Sequence, residues 1–410
     1  MKAIQFDFSI PRYGIGLALG RLSPKFFWSG ISCMGYEEIP TPVLRGDDWA
    51  LIKTRLGGIC GTDMSAVKLT ASTYSTTMVT FPFVLGHENI GTIEEVGSGV
   101  SDWQVGDRVV AEPLLWCMPR GFTELCINCE KGEINRCERI TEGDLDPGYQ
   151  IGICKDTGGS WSPYFLAHQS QLYRVPDNIS DENGLMIEPF AIALHAVLQN
   201  FPGDDDQVLI IGAGTIGLLV VAALRALGSL SEIIVQGRYA FQAEAAQQLG
   251  ASRIILGNRD NGFYYEIAQW SEGKVRKPII GKPVVLGGVD MTFECVGSSR
   301  SLDDALRLTH NGGRVIMVGE AGVVKKLDWT SFFTQELEIR AANMYNHAEE
   351  FNGKHWKTFD LAIELLASGK LDLGWLVTHQ LPLEAYKRAF ELTTRKSENK
   401  SIKVAFKFDE

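Results

Sequence analysis

The chain has 410 residues, more than one hydrophobic core usually holds, and its 45% apolar and 22% charged content is that of an ordinary globular protein. A net charge of −11 with no basic run or stripe argues against nucleic acid or an anionic membrane surface as partner, and favours a small molecule. The longest uncharged apolar run, 208–224, has 17 residues, too few for a membrane span. The N-terminus carries Asp7 and Pro11 early and lacks a secretory pattern. A cytoplasmic location is expected, where clustered cysteines lean towards metal or catalysis rather than disulfides.

Along the chain, the part before about residue 185 is rich in glycine, proline and short β-type runs: "WALIKTRLGGI", "IGTIEEVGSGV", "GDRVVAEP". Apolar alternation between turn signals predicts a largely antiparallel β region. From about 190 to 340 the texture changes. Aliphatic runs ("QVLIIGAG", "EIIVQG", "SRIILG", "VDMTFECVG", "GRVIMVG") alternate with helical stretches ("TIGLLVVAALRALG", "YAFQAEAAQQLG", "SLDDALRLT"), which predicts βαβ units feeding a parallel sheet. The basic stretch 271–288, "SEGKVRKPIIGKPVVLGG", is expected to be a surface loop. The tail from about 345 is mixed, with an amphipathic helix in "FDLAIELLASGKL". The pattern is an α/β domain inserted in sequence into a β-rich one, at 189–342, with 1–188 before it and 343–410 returning.

"QVLIIGAGTIGLL" places Gly212, Gly214 and Gly217 in G-x-G-x-x-G spacing around Thr215 and Ile216, after a predicted strand and before a predicted helix. In that setting the first glycine permits a tight turn, the second lets backbone approach a pyrophosphate, and the third lets helix and strand pack closely. The helix start offers unpaired N–H groups to the anion. A dinucleotide is therefore expected. At the end of the next strand stand Gln236, Gly237 and Arg238, with no acidic residue before Glu244. An Arg there suits a ribose 2′-phosphate, so NADP is favoured over NAD; the bland alternative is a solvated loop cation.

Three separate stretches carry zinc-ligand chemistry: "GGICGTD" with Cys60, "LGHEN" with His87 and Glu88, and "MIEPFAIALHAV" with Glu188. A catalytic zinc needs three protein ligands and one open position. An alcohol there becomes easier to deprotonate and then to oxidise. Thr62, two residues past Cys60, is placed to relay the proton; a turn-capping hydroxyl is the plain alternative.

These motifs, with the cysteines of "WCMPRGFTELCINCEKGEINRC" (116–137), follow one another in the order found in the zinc-dependent medium-chain dehydrogenase/reductase family, which the chain resembles from about residue 45 onwards. The resemblance implies a GroES-like β-rich catalytic domain with a Rossmann doubly wound parallel sheet inserted. It also implies an NAD(P)-dependent alcohol, polyol or sugar dehydrogenase acting on a small alcohol or carbonyl substrate, and assembly as a homo-dimer or homo-tetramer. Cys60 and His87 match the first two catalytic zinc ligands. Glu188 stands where the alcohol dehydrogenase branch has a cysteine, as in the polyol, sugar and threonine dehydrogenase branch. Glu88 matches a glutamate beside the zinc, ligand in some members and neighbour in others; Asp63 matches a supporting carboxylate and Thr62 the proton relay. Cys295, Val296, Gly297, Val318 and Gly319 match loops lining the nicotinamide.

The family also binds a structural zinc through four cysteines, two residues between each of the first three and seven before the last. Cys126, Cys129 and Cys137 keep that spacing, whereas Thr123 occupies the first position and the nearest upstream cysteine is Cys117. A structural zinc on all four is expected; a three-cysteine vestige or a Cys126–Cys129 disulfide are the alternatives. Cys33 and Cys154 are expected only to be buried. The N-terminal stretch "SIPRYGIGLALGRLSPKFFWSGISCMGYEEIP" is longer than the family's, and reads as an insertion over the active-site mouth or an oligomer contact. Two rival functions stand beside the first: a zinc-free quinone or enone reductase of the same fold, and a non-catalytic cofactor-binding protein.

Overall fold

The computed structural model describes residues 1–257 and 261–409. The chain divides into two compact units: Met1–Glu188 with Asn346–Ala348 and Phe359–Glu410, and Pro189–Tyr345 with Glu349–Thr358. The first boundary falls inside the helix Ile187–Leu198, between Glu188 and Pro189. The returning tail is not continuous, because the hairpin of Glu349–Phe351 and Lys354–Trp356 goes with the second unit. There His195 Nδ1 and Glu349 Oε1 lie 2.5 Å apart, both buried, and tie the hairpin to the helix.

The first unit is built on the long strand Trp49–Gly58. It pairs antiparallel with Asn89–Val96, with Tyr164–His168 and with Lys403–Lys407, while Val377–Pro382 adds a parallel edge and Arg108–Ala111 and Leu172–Arg174 extend the other side. Its residues are buried along almost their whole length, as expected of a strand covered on both faces. A three-stranded sheet of Met34–Glu38, Lys2–Phe6 and Phe83–Val84 closes a second core, where Trp161, Phe390 and Phe406 meet Trp28 and Met34.

The N-terminal stretch is a helix, Ile10–Gly20, and a 3₁₀ turn, Pro24–Trp28, capped by the hydroxyls of Ser9 and Ser23. Gly16 and Gly20 let it lie flat: a Cβ at Gly16 would sit 2.6 Å from Ser32 Oγ, and one at Gly20 would sit 2.2 Å from the Phe27 ring. Trp28 packs edge-on against Phe390. The segment is thus part of the first unit's own core.

The second unit holds a six-stranded, wholly parallel sheet in the order Arg253–Leu256, Glu232–Gly237, Gln207–Ile211, Val289–Glu294, Thr309–Met317, Glu338–Ala341. Strand order reverses between Gln207–Ile211 and Val289–Glu294, the switch point at which such sheets bind ligands. The stretch 271–288 differs from the loop expected. It is a two-stranded antiparallel ribbon, Lys274–Arg276 with Val284–Leu286, because Val275 and Val285 turn inward while Pro278 and Gly281 shape the exposed end. Lys282 anchors it to Asp303 and Asp304. Among the described residues, no helix is long and apolar enough to cross a membrane.

Candidate active site and metal centres

In the first unit, Cys60 caps the helix Gly61–Val67, and the side chain of Asp63 accepts the Cys60 amide at 3.0 Å. The other oxygen of Asp63 lies 3.2 Å from His87 Nδ1, close enough for an ion pair but misaligned for a hydrogen bond. Asp63 therefore braces two of the expected ligands, as supporting carboxylates do around metals. Burial alone would lower the His87 pKa; the negative charge of Asp63 beside it, helped by Cys60, instead raises it well above the usual range. Thr62 is exposed on the same first turn.

His87 and Glu88 precede strand Asn89–Val96 and are fixed from behind. Asn89 donates to the carbonyls of His87 and Ala111, and Ser160 Oγ donates to the Glu88 carbonyl at 2.7 Å. Gly58 makes room, since a Cβ there would lie 2.0 Å from Glu88 Oε2. Ligand atoms of Cys60, His87 and Glu88 all fall within 4.8 Å of one another. Glu188 stands outside that trio. It is nonetheless in range of the charges of His87, Glu88, Lys403 and Asp63, and burial pushes its carboxyl up to about 7.

Sequence reading missed Lys403. It is 3% exposed and its Nζ pairs with Glu88 Oε1. Its only visible signal is a lysine opening the otherwise apolar run "VAF". Among the described residues, Glu88 Oε2 and both oxygens of Glu188 are buried and find no hydrogen-bond partner. Unpaired buried carboxylate oxygens are costly, and a divalent cation beside a thiolate and an imidazole satisfies them. The residues fit zinc, which Cys60, His87 and a glutamate would hold with room for one more ligand.

The four-cysteine lobe fits zinc more completely. The sulfurs of Cys117, Cys126, Cys129 and Cys137 all lie within 4.8 Å of one another, and all four residues are buried. Cys117 and Cys137 are 3.7 Å apart, against about 3.8 Å for the edge of a tetrahedron with 2.3 Å zinc–sulfur bonds. All eight cysteines of the chain are free thiols. The amides of Cys126 and Arg139 point at the sulfurs of Cys117 and Cys137 at 3.4 and 3.5 Å. Hydrogen bonding from Cys129 pulls Cys137 down to about 6, while burial pushes Cys117 up to about 11.

Cys117 is brought in by Arg120, which is fully buried. Its guanidinium donates to the carbonyls of Leu115, Glu142, Leu145 and Gly148, pinning the longer loop that precedes Cys126. Cys33 and Cys154 are fully buried, elsewhere in the first unit.

In the second unit the glycine turn joins strand Gln207–Ile211 to helix Thr215–Ala226. Gly212 has φ +105°, and a Cβ at Gly217 would lie 1.8 Å from the Gly212 carbonyl oxygen. Both are demanded by the fold itself. Gly214 is different: it has no positive φ and open space where its Cβ would be. Only something approaching from outside requires glycine there, which fits a pyrophosphate at the amides of Thr215 and Ile216.

Beside the turn, a Cβ on Gly212 would lie 2.5 Å from the Val296 side chain. The Cys295–Gly297 and Val318–Gly319 loops are knotted through Glu294. Its carboxylate takes the amides of Val296 and Gly297, and its carbonyl takes those of Val318 and Gly319. The expected cofactor residues are thus gathered at the carboxyl ends of adjoining strands. Arg238, at the end of Glu232–Gly237, is exposed with its guanidinium 5.5 Å from the Tyr239 ring centre, and among the described residues it makes no ion pair.

Comparison with known proteins adds to this geometry. Residues 46–177 match the alcohol dehydrogenase GroES-like domain, and residues 215–367 the zinc-binding dehydrogenase family. A sorbitol dehydrogenase of Bacillus subtilis (strain 168) is 30% identical over 368 residues, covering 90% of this chain and 92% of that protein. An L-idonate 5-dehydrogenase of Vitis vinifera is 31% identical over 383 residues, covering 92% of each. The solved structure of a zinc dependent alcohol dehydrogenase 2 from Streptococcus pneumonia superposes with a TM-score of 0.74 over 100% of this chain and 99% of that one, at 23% identity. At that identity the likeness concerns the fold.

Proposed function

Since the chain belongs to the zinc-dependent medium-chain dehydrogenase/reductase family, and is an NAD(P)-dependent zinc oxidoreductase of its alcohol, polyol and sugar dehydrogenase group, we propose that it oxidises a secondary hydroxyl of a polyol, sugar or related metabolite. In this reading NADP is the favoured acceptor and the enzyme is a cytoplasmic homo-dimer or homo-tetramer. The observation that carries the proposal is the meeting of Cys60 and His87 with Glu88, with Glu188 buried in range of their charges, while among the described residues three oxygens of the two glutamates have no hydrogen-bond partner. Zinc, when bound, lowers the pKa of an alcohol oxygen, and the nicotinamide accepts the hydride.

The chain's own residues supply the rest. Cys60, His87 and Glu188 hold the metal, with Glu88 alongside. Asp63 keeps the imidazole and the Cys60 backbone in place, and Lys403 neutralises Glu88 through its Oε1. Thr62 Oγ1, on an exposed turn, takes the alcohol proton and passes it to solvent. The 212–217 turn binds the pyrophosphate, and Arg238 the 2′-phosphate. The relatives named for sorbitol and for L-idonate support a polyhydroxylated substrate.

A panel of polyols, aldoses and secondary alcohols, each with NAD and NADP, tests the proposal on zinc-replete protein. Activity with a polyol, lost in Cys60→Ser, is expected, and Arg238→Ala should shift preference from NADP towards NAD. Unchanged turnover in Cys60→Ser would sink the reading and favour the zinc-free reductase.

A further inference from the structure

The helix Ile10–Gly20 is apolar on the face it turns to solvent as well as on the face it buries. Inward, Tyr13 and Leu17 pack on the core beside the buried Gly16 and Gly20. Outward stand Ile10, Pro11, Gly14, Ile15 and Ala18, with Leu22 one turn further on, all exposed. Ile10 and Leu22 are 79% and 78% exposed. An ordinary surface helix carries charged and polar residues there, and a helix apolar all round belongs in an interior. Here the sole charge on the outward face is Arg21, at its end.

Gly14 adds a second observation. Gly16 and Gly20 are required by Ser32 and Phe27, but Gly14 has no positive φ and nothing within 4 Å of where its Cβ would be. Glycine inside a helix weakens it relative to alanine. What remains to require it is a surface that comes close from outside.

The outward row reads the same from both ends. Ile10, Gly14, Ala18 and Leu22 lie four apart, large, small, small, large. A two-fold axis at the level of residue 16 sets Ile10 of one copy against Leu22 of another, and Gly14 against Ala18, as an isologous contact demands. It also brings Asp7, exposed before the helix, towards Arg21, which among the described residues makes no ion pair. The outward residues expose on the order of 400 Å² of apolar surface. That is about half of the ~800 Å² each partner gives to an interface of standard size, close to the apolar share of such an interface.

We propose that this face is a self-association surface, on which two copies of the chain pack their N-terminal helices antiparallel with Gly14 and Ala18 at the crossing. It rests on the homo-oligomer of the reading above and supplies one of its contacts, independently of substrate and cofactor. A membrane suits the face poorly, because helices that lie on membranes are rich in Lys and Arg and this one offers Arg21 alone.

Sedimentation equilibrium of the full-length, zinc-replete protein tests the surface. The wild type should be a dimer or tetramer, and Leu22→Asp half its mass. Gly14→Gln meets no atom within one copy, so its circular dichroism should match the wild type while self-association weakens by about a hundredfold, as at an interface centre. Val43→Asp, at a residue 80% exposed elsewhere in the unit, should leave the mass unchanged. The pairing has its own test. Ile10 and Leu22 lie about 18 Å apart along one helix, too far to pair within a copy. The double variant Ile10→Lys/Leu22→Asp should therefore regain the association that each single variant loses.

Unchanged mass in both Leu22→Asp and Gly14→Gln would overturn the surface and leave a homo-oligomer formed elsewhere. A wild type monomeric at every concentration would end both readings. A monomer that floats with neutral phosphatidylcholine vesicles would give the face to lipid and overturn the proposal. A double variant no better than the singles would reject the antiparallel pairing.

Discussion

The four-cysteine lobe and the Cys60–His87 cluster are two candidate metal sites in the same unit, and they are built on opposite principles. The lobe draws its candidate ligands from 21 consecutive positions, Cys117 to Cys137, and its four buried sulfurs, all within 4.8 Å of one another, supply a full set of four ligands by themselves. Backbone amides and the buried Arg120 hold it from outside. The other cluster gathers its candidate ligands from a helix cap at Cys60 and a strand entry at His87 and Glu88, with Glu188 on a second helix in range of their charges. It leaves Cys60 half-exposed and surplus carboxylate oxygens unpaired. A site that is closed and satisfied stabilises its surroundings. One that is open, and short of positive charge until a cation binds, is suited to chemistry.

The contrast can be broken most sharply with one substitution on each side. Cys60→Ser should cost at least about a thousandfold in kcat/KM, since Lewis-acid assistance is worth several kcal/mol, yet lower the melting temperature only modestly, by the stabilisation the metal at that site supplies. Cys129→Ser should lower it much further, with steady-state rates per folded molecule largely kept. A thermal melt and an assay on the same preparations check both.

Next in size is Lys403→Met. It leaves Glu88 buried without its counter-charge, which costs about 3–5 kcal/mol in proteins; denaturant unfolding measures it. The loss should shrink when zinc is present, because the metal takes over the compensation. No such rescue is expected for the lobe.

The zinc-free protein should also show an inverted pH response. Glu188 titrates at about 7 in the fold against an ordinary 4.5, so between those values the folded chain holds a proton that the unfolded chain has released. Stability therefore falls as pH rises through that window, by up to about 3 kcal/mol. Glu188→Gln should flatten the response, and added zinc should reverse it; unfolding curves at pH 5, 6 and 7 decide.

The smallest effect is expected from Arg120→Met, about 2 kcal/mol from orphaned carbonyls. It should loosen Cys117 and weaken zinc retention in the lobe, while turnover on the best alcohol stays within about twofold, a margin of ~0.4 kcal/mol.

Much of this was legible in the sequence because it is local. The G-x-G-x-x-G turn lies within six residues, and its outer glycines answer to contacts within the turn or with its neighbouring loop. The cysteines advertise themselves by spacing, and Cys60, His87 and Glu188 by short motifs. What stayed hidden depends on pairing between distant segments. Lys403 becomes a site residue only because strand Lys403–Lys407 lies antiparallel to Trp49–Gly58, which brings it to Glu88. Arg120 reads as one more loop cation until its carbonyl acceptors, up to 28 residues away, are seen. The ribbon at 274–286 was masked by its prolines, which lie outside the paired residues.

The most direct test is elemental analysis of zinc on protein purified without chelator, for the wild type, Cys60→Ser and Cys129→Ser together. Two zinc ions per chain in the wild type, and one in each variant, are what two independent sites of opposite design predict. One ion in the wild type that survives Cys60→Ser, or none after zinc-supplemented growth, would contradict a metal centre at Cys60, His87 and Glu188.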